Sequence, residues 1–160
     1  MSGFDWAKGE GWIEAGGARL EARAVGPAPG EAPTIVMLHE GLGCVATWGD
    51  FPDRLAAETG CGVFLWSRAG YGGSDPAELP RPLDYMTREA TEVLPEVLAA
   101  IGFREGVLLG HSDGATIAAE YAGGVQDLRV RGLILIAPHF FAEPSGLASI
   151  AKMRDAYETG

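Results

Sequence analysis

The stretch Val107-Leu108-Leu109-Gly110-His111-Ser112-Asp113-Gly114-Ala115 constrains this chain more than any other. An apolar run ends in Gly-x-Ser-x-Gly and passes at once into helix-forming residues, 115–121. That order reads as strand, tight turn, helix. Gly110 and Gly114 flank the turn because a Cβ at either place would collide with the neighbouring strand or helix. The turn lifts the Ser112 hydroxyl clear of the sheet. It also aims the amide of Asp113, at a helix N-terminus, at any developing oxyanion. The chain holds 24 glycines, so the pentapeptide alone is a weak signal and its context carries the weight.

Strand-like and helix-like segments alternate around this turn. Residues 11–14 and 18–25 read as a hairpin joined by Gly16-Gly17, with Leu20, Ala22 and Ala24 on one face and Arg19, Glu21 and Arg23 on the other. Thr34-Ile35-Val36-Met37-Leu38 and Gly62-Val63-Phe64-Leu65-Trp66 are continuous apolar runs, as expected of parallel strands covered on both faces. Residues 47–59 read as a helix capped by Thr47, with Pro52 in its first turns and Gly60 at its end. Asp84 is expected to cap a long helix reaching Ile101, kinked at Pro95 and closed by Gly102. Residues 130–137 form the last buried strand, and a helix follows over about residues 147–157. The pattern predicts an α/β fold: a mostly parallel sheet of about six strands with helices on both faces.

Charge narrows the partners. There are 22 acidic against 12 basic residues, a net charge of −10. Such a surface lacks the basic footprint that nucleic acid requires, and it does not suit an anionic membrane. No apolar run approaches a membrane span, and the N-terminal residues show no leader pattern. Cys44 and Cys61 stand far apart without ligand-like spacing, so two free thiols in a reducing cytoplasm are expected. Neither a metal nor a cofactor is expected.

The ordered motifs resemble the alpha/beta-hydrolase superfamily along nearly the whole chain. His39-Glu40-Gly41-Leu42-Gly43 after the third strand is similar to a His-Gly-type oxyanion loop. Residues 67–74 after the fourth strand, beginning Ser67-Arg68-Ala69-Gly70, are similar to the family's Asp-x-Pro-Gly-x-Gly-x-Ser loop. Gly110 to Gly114 fits the nucleophile elbow after the fifth strand. The resemblance implies Ser112 as nucleophile, with oxyanion amides from Asp113 and from Gly41 or Leu42. His39 would brace the oxyanion loop and His111 would shape the elbow, and both are candidate pocket residues, as is His139. A small-molecule acyl or ester substrate is implied, and serine at the elbow argues against epoxide and haloalkane chemistry.

Departures from the pattern set further expectations. Glu40 stands where glycine usually follows the histidine. Ser67 replaces the usual aspartate and Ala69 the usual proline, which should weaken bonding within that loop. The family places its acid after strand seven and its histidine after strand eight, and both would lie beyond Gly160. The expectation is therefore a truncated core over residues 1–143, the start of a cap over 144–160, and impaired catalysis. His139, just past strand six, becomes a pocket residue and a candidate makeshift base, while Glu143 holds a position where a minority of the family carry their acid. Strand six becomes an open edge through which the chain is expected to self-associate. A non-catalytic binding module on the same fold, and an incomplete fragment, are the rival readings.

Overall fold

A computed structural model of the chain describes residues 4–141 and 143–159. The outer bounds of the expected domains, at 1 and 160, and residue 142 of the loop after strand six lie outside the described residues. The six strands are β1 (Glu10–Ala15), β2 (Ala18–Val25), β3 (Thr34–Leu38), β4 (Gly62–Trp66), β5 (Gly106–His111) and β6 (Val130–Ile136). They form one sheet in the order β1-β2-β4-β3-β5-β6. β1 and β2 pair antiparallel, as does β2 with β4, and the four strands β4, β3, β5 and β6 run parallel.

This order positions the site. From β3 the chain moves outward to β4, then crosses back to β5 on the other side of β3. The strand order reverses between β3 and β5, the place where open α/β sheets characteristically bind ligands outside the carboxyl ends of their strands. The loops after β3, β4, β5 and β6 all emerge on that edge.

Two apolar layers hold the sheet. Alternate residues of each covered strand point to opposite faces. Val36, Phe64, Trp66 and Leu108 pack with Leu94, Leu98, Ile117 and Tyr121 from the helices on one side. Ile35, Met37, Val63, Leu65 and Leu109 meet Ala56 of α1 (Phe51–Thr59) on the other. The hairpin behaves as its alternation requires: Leu20, Ala22 and Ala24 are buried.

Helix boundaries differ from the sequence reading in two places. Residues 47–59 are not one helix. Val45–Trp48 forms a short 3₁₀ turn, and Gly49 at φ 56° breaks it from α1. Thr47 therefore caps this turn, its hydroxyl accepting the Cys44 N–H at 3.1 Å. The stretch expected as one long helix is α2 (Tyr85–Arg88), a π-helical turn at Glu89–Val93, and α3 (Leu94–Ala100). Pro95 has no N–H to offer and its ring crowds the preceding turn, so the widened turn precedes it. Asp84 does not cap the backbone; its carboxylate takes Arg88 Nε at 3.0 Å.

The last helices are α4 (Asp113–Gly124) and α5 (Pro144–Thr159), the latter longer than expected and with no buried residue. β6 corrects the expectation of a buried strand. It pairs only with β5 among the described residues, and Leu133, Ile134 and Ile136 are 38%, 45% and 44% exposed. No described helix is long and apolar enough to cross a membrane.

Candidate active site

Ser112 sits between β5 and α4 with φ 53° and ψ −116°, a conformation that L-residues rarely adopt. Its own N–H donates to the Ile136 carbonyl of β6 at 2.8 Å, and its carbonyl accepts from Ala115 and Thr116 at 3.0 and 3.1 Å. The flanking glycines are a steric necessity. A Cβ on Gly110 would lie 2.3 Å from the Gly114 carbonyl oxygen, and one on Gly114 would lie 2.1 Å from that of Leu38.

Beyond β6 the chain turns through Ala137, also at positive φ, 49°. The His139 N–H then donates to Thr116 Oγ1 at 2.9 Å, which ties this loop to the first turn of α4. Thr116 lies four residues after Ser112, on the same helix face. The His139 ring is delivered to the elbow: its Nε2 is 2.6 Å from Ser112 Oγ. The same nitrogen is 3.9 Å from Asp113 Oδ1. Among the described residues Nδ1 of His139 has no hydrogen-bond partner.

The other two histidines are placed differently. His39 is fully buried beneath the loop after β3. Its Nδ1 donates to the Glu40 carbonyl at 2.7 Å, and its Nε2 accepts the Arg68 N–H at 3.0 Å. Burial, and secondarily the Arg68 guanidinium, hold its pKa down at about 3, so the ring is neutral. His111 is half-exposed, its Nδ1 3.9 Å from the Glu40 carboxylate.

The loop after β3 lies against the elbow. A Cβ on Gly41 would be 3.0 Å from Asp113 Oδ2, whereas the Leu42 side chain is 67% exposed. Asp113 is held in turn by Tyr85, whose hydroxyl donates to Oδ2. Burial, and after it this carboxylate, raise the Tyr85 pKa above the ordinary phenol value. Arg68 Nη2 stands 4.0 Å from the same oxygen. Glu143 immediately precedes α5, its carbonyl accepting the Leu147 N–H at 3.0 Å.

Sequence reasoning did not find Arg68, Tyr85, Thr116 or Glu21. Only Thr116 left a signal, its spacing from Ser112. The expectation of weakened bonding in the loop after β4 is also corrected. Ser67 Oγ donates to Glu21 Oε2 at 2.6 Å and accepts the Val45 N–H at 2.9 Å, and Glu21 Oε2 takes the Gly73 N–H at 3.0 Å. A carboxylate from β2 supplies what the missing aspartate would have.

A hollow of about 440 Å³ lies behind Tyr85, lined among others by Gly16, Ala69, Arg81 and Glu89, and Ser112 and His139 are not part of its wall. No group of three or more metal-ligating side chains converges among the described residues.

Residues 35–159 match the Alpha/beta hydrolase family. The chain belongs to that family. Among curated proteins it is 28% identical over 126 residues to the proline iminopeptidase of Lactobacillus delbrueckii subsp. lactis, covering 79% of this chain. It spans 42% of that relative's length. Among solved structures, naproxen esterase from Bacillus subtilis superposes with a TM-score of 0.71 at 19% identity, over 89% of this chain and 48% of the other. The thioesterase domain from the curacin biosynthetic pathway gives a TM-score of 0.68 at 24% identity, over 94% and 53%. These likenesses establish the fold.

Proposed function

We propose that this chain carries the nucleophilic half of a serine hydrolase acting on a carboxylic ester or a related carbonyl compound. One observation carries the reading: a serine hydroxyl on a strained elbow lies 2.6 Å from an imidazole nitrogen. That is within reach for direct proton transfer. Ser112 Oγ attacks the acyl carbon while its proton passes to His139 Nε2. The carbonyl oxygen becomes an oxyanion bound by the N–H groups of Asp113 and Gly41. Collapse expels the alcohol, which takes the proton from His139, and water then hydrolyses the acyl-serine by the same route.

Without a carboxylate on Nδ1, this dyad falls short of a full triad. In serine proteases, altering the acid alone costs on the order of 10⁴-fold in kcat. Slow turnover of activated esters is the corresponding expectation. The names of the relatives, an iminopeptidase, an esterase and a thioesterase, fit acyl chemistry at a serine.

A fluorophosphonate probe tests both roles. It should label wild-type protein at Ser112, and Ser112→Ala should abolish labelling. His139→Ala should slow labelling at least tenfold. Absence of labelling at Ser112 refutes the nucleophile; an unchanged rate in His139→Ala removes the histidine from the mechanism.

A further inference from the structure

The Arg68 side chain is buried to 1% relative exposure, yet no step above uses it. Its Nη1 donates to the His39 carbonyl at 2.6 Å and its Nη2 to the Glu40 carbonyl at 3.0 Å. Nη2 is also 4.0 Å from Asp113 Oδ2, and the guanidinium carbon lies 5.4 Å from the Tyr71 ring centre. Nε has no partner. A buried cation is costly to keep, and here it is spent on two successive carbonyls of a single loop.

Those carbonyls face the guanidinium in a way that determines where the next amide points. The Glu40 carbonyl accepts three donors: His39 Nδ1 at 2.7 Å, Arg68 Nη2 at 3.0 Å and the Gly43 N–H at 3.2 Å. In a trans peptide the C=O and the following N–H point in opposite directions. Fixing the Glu40 oxygen toward Arg68 therefore fixes the Gly41 N–H away from it. Gly41 itself lies against Asp113, the residue that follows the nucleophile. No acceptor takes the Gly41 N–H among the described residues. Three hydrogen bonds on the carbonyl also polarise the peptide and strengthen its N–H as a donor.

We infer that Arg68 is the positioning residue of the oxyanion hole: it orients and polarises the Glu40–Gly41 peptide, so that Gly41, rather than Leu42, donates to the oxyanion beside Asp113. Arg68 touches no reacting atom and acts through that peptide. The inference rests on Ser112 being the nucleophile.

The test compares Ser112 acylation by p-nitrophenyl acetate and by its thiono counterpart, in which sulfur replaces the carbonyl oxygen. Sulfur is a poor acceptor, so the oxygen-to-sulfur rate ratio reports the hole. Arg68→Met should lower the oxygen-ester rate about 10- to 100-fold, short of the full loss of a donor, and should collapse the ratio. Added guanidinium ion should restore the oxygen-ester rate several-fold. An equal fall on both esters, or no fall, overturns the inference. A measurement on unmutated protein stands beside it: on phosphonylation of Ser112, the Gly41 amide proton should move downfield in NMR. A Leu42 shift with Gly41 unmoved also overturns it. Failure of Ser112 to react at all overturns the parent reading and this one together; a reactive Ser112 with an unchanged ratio in Arg68→Met overturns this one alone.

Discussion

The Ser67 hydroxyl donates to the Glu21 carboxylate at 2.6 Å across 46 residues of sequence. It binds the loop after β4 to the antiparallel hairpin at the edge of the sheet. The same oxygen takes the Gly73 N–H, and a Cβ on Gly72 would lie 2.3 Å from it. Glu21 thus organises a loop to which it does not belong.

Glu21→Ala should therefore cost about 1–3 kcal/mol, because it leaves two donors in a half-buried loop unpaired. Ser67→Asp alone should also destabilise, by setting two carboxylates against each other. Combined with Glu21→Gln, it should recover most of the loss. Urea denaturation of Glu21→Gln, Ser67→Asp and the pair measures the coupling. Additive losses would mean that the two residues do not act through one another.

Acid should weaken the fold through His39. Its native pKa is about 3, against an ordinary value near 6.5. Between those values the unfolded chain binds a proton that the native state refuses. Stability from this group is therefore full above about pH 6.5 and declines as pH falls toward 3, by up to about 1.4 kcal/mol per unit. His39→Asn keeps a donor for the Glu40 carbonyl but cannot titrate. Its stability should be lower at neutral pH and flatter between pH 6.5 and 4 than that of the parent. Parallel curves would show that His39 does not contribute the slope.

Gly114→Ala should be among the most damaging single changes. The new Cβ would lie 2.1 Å from the Leu38 carbonyl oxygen and 2.8 Å from that of His39, both backbone atoms. Separating α4 from β3 to relieve the clash opens the packing around Ser112. A loss of about 3 kcal/mol or more in denaturation, with loss of Ser112 labelling, is expected. Gly123→Ala, where a Cβ meets nothing within 4 Å, is the matched control and should be tolerated.

The open edge of β6 should make the 160-residue chain associate. Leu133, Ile134 and Ile136 are exposed along it, a pairing hazard for any unpartnered strand. Light scattering at tens of micromolar should show more than monomer, and Ile134→Lys should shift the distribution toward monomer. A monodisperse parent chain would count against edge pairing.

The elbow and the covered strands were legible in the sequence because their causes are local. Gly110 and Gly114 are dictated by contacts a few residues away or with one adjacent strand, and the runs in β3 and β4 announce burial on two faces. Helix ends were less legible. Gly49 breaking the segment before α1, and the π turn ahead of Pro95, depend on how each piece docks on the sheet.

What the sequence determined by itself was the class of fold and the serine at its carboxyl edge, since side-chain periodicity and backbone sterics act over short spans. What only the tertiary structure decided was which side chains meet there. His139 reaches Ser112 across 27 residues, Tyr85 reaches Asp113 across 28, and Arg68 reaches the His39 carbonyl across 29. Nothing in the intervening chain encodes those pairings. They follow from the strand order β4-β3-β5-β6, which gathers four separate loops on one edge of the sheet.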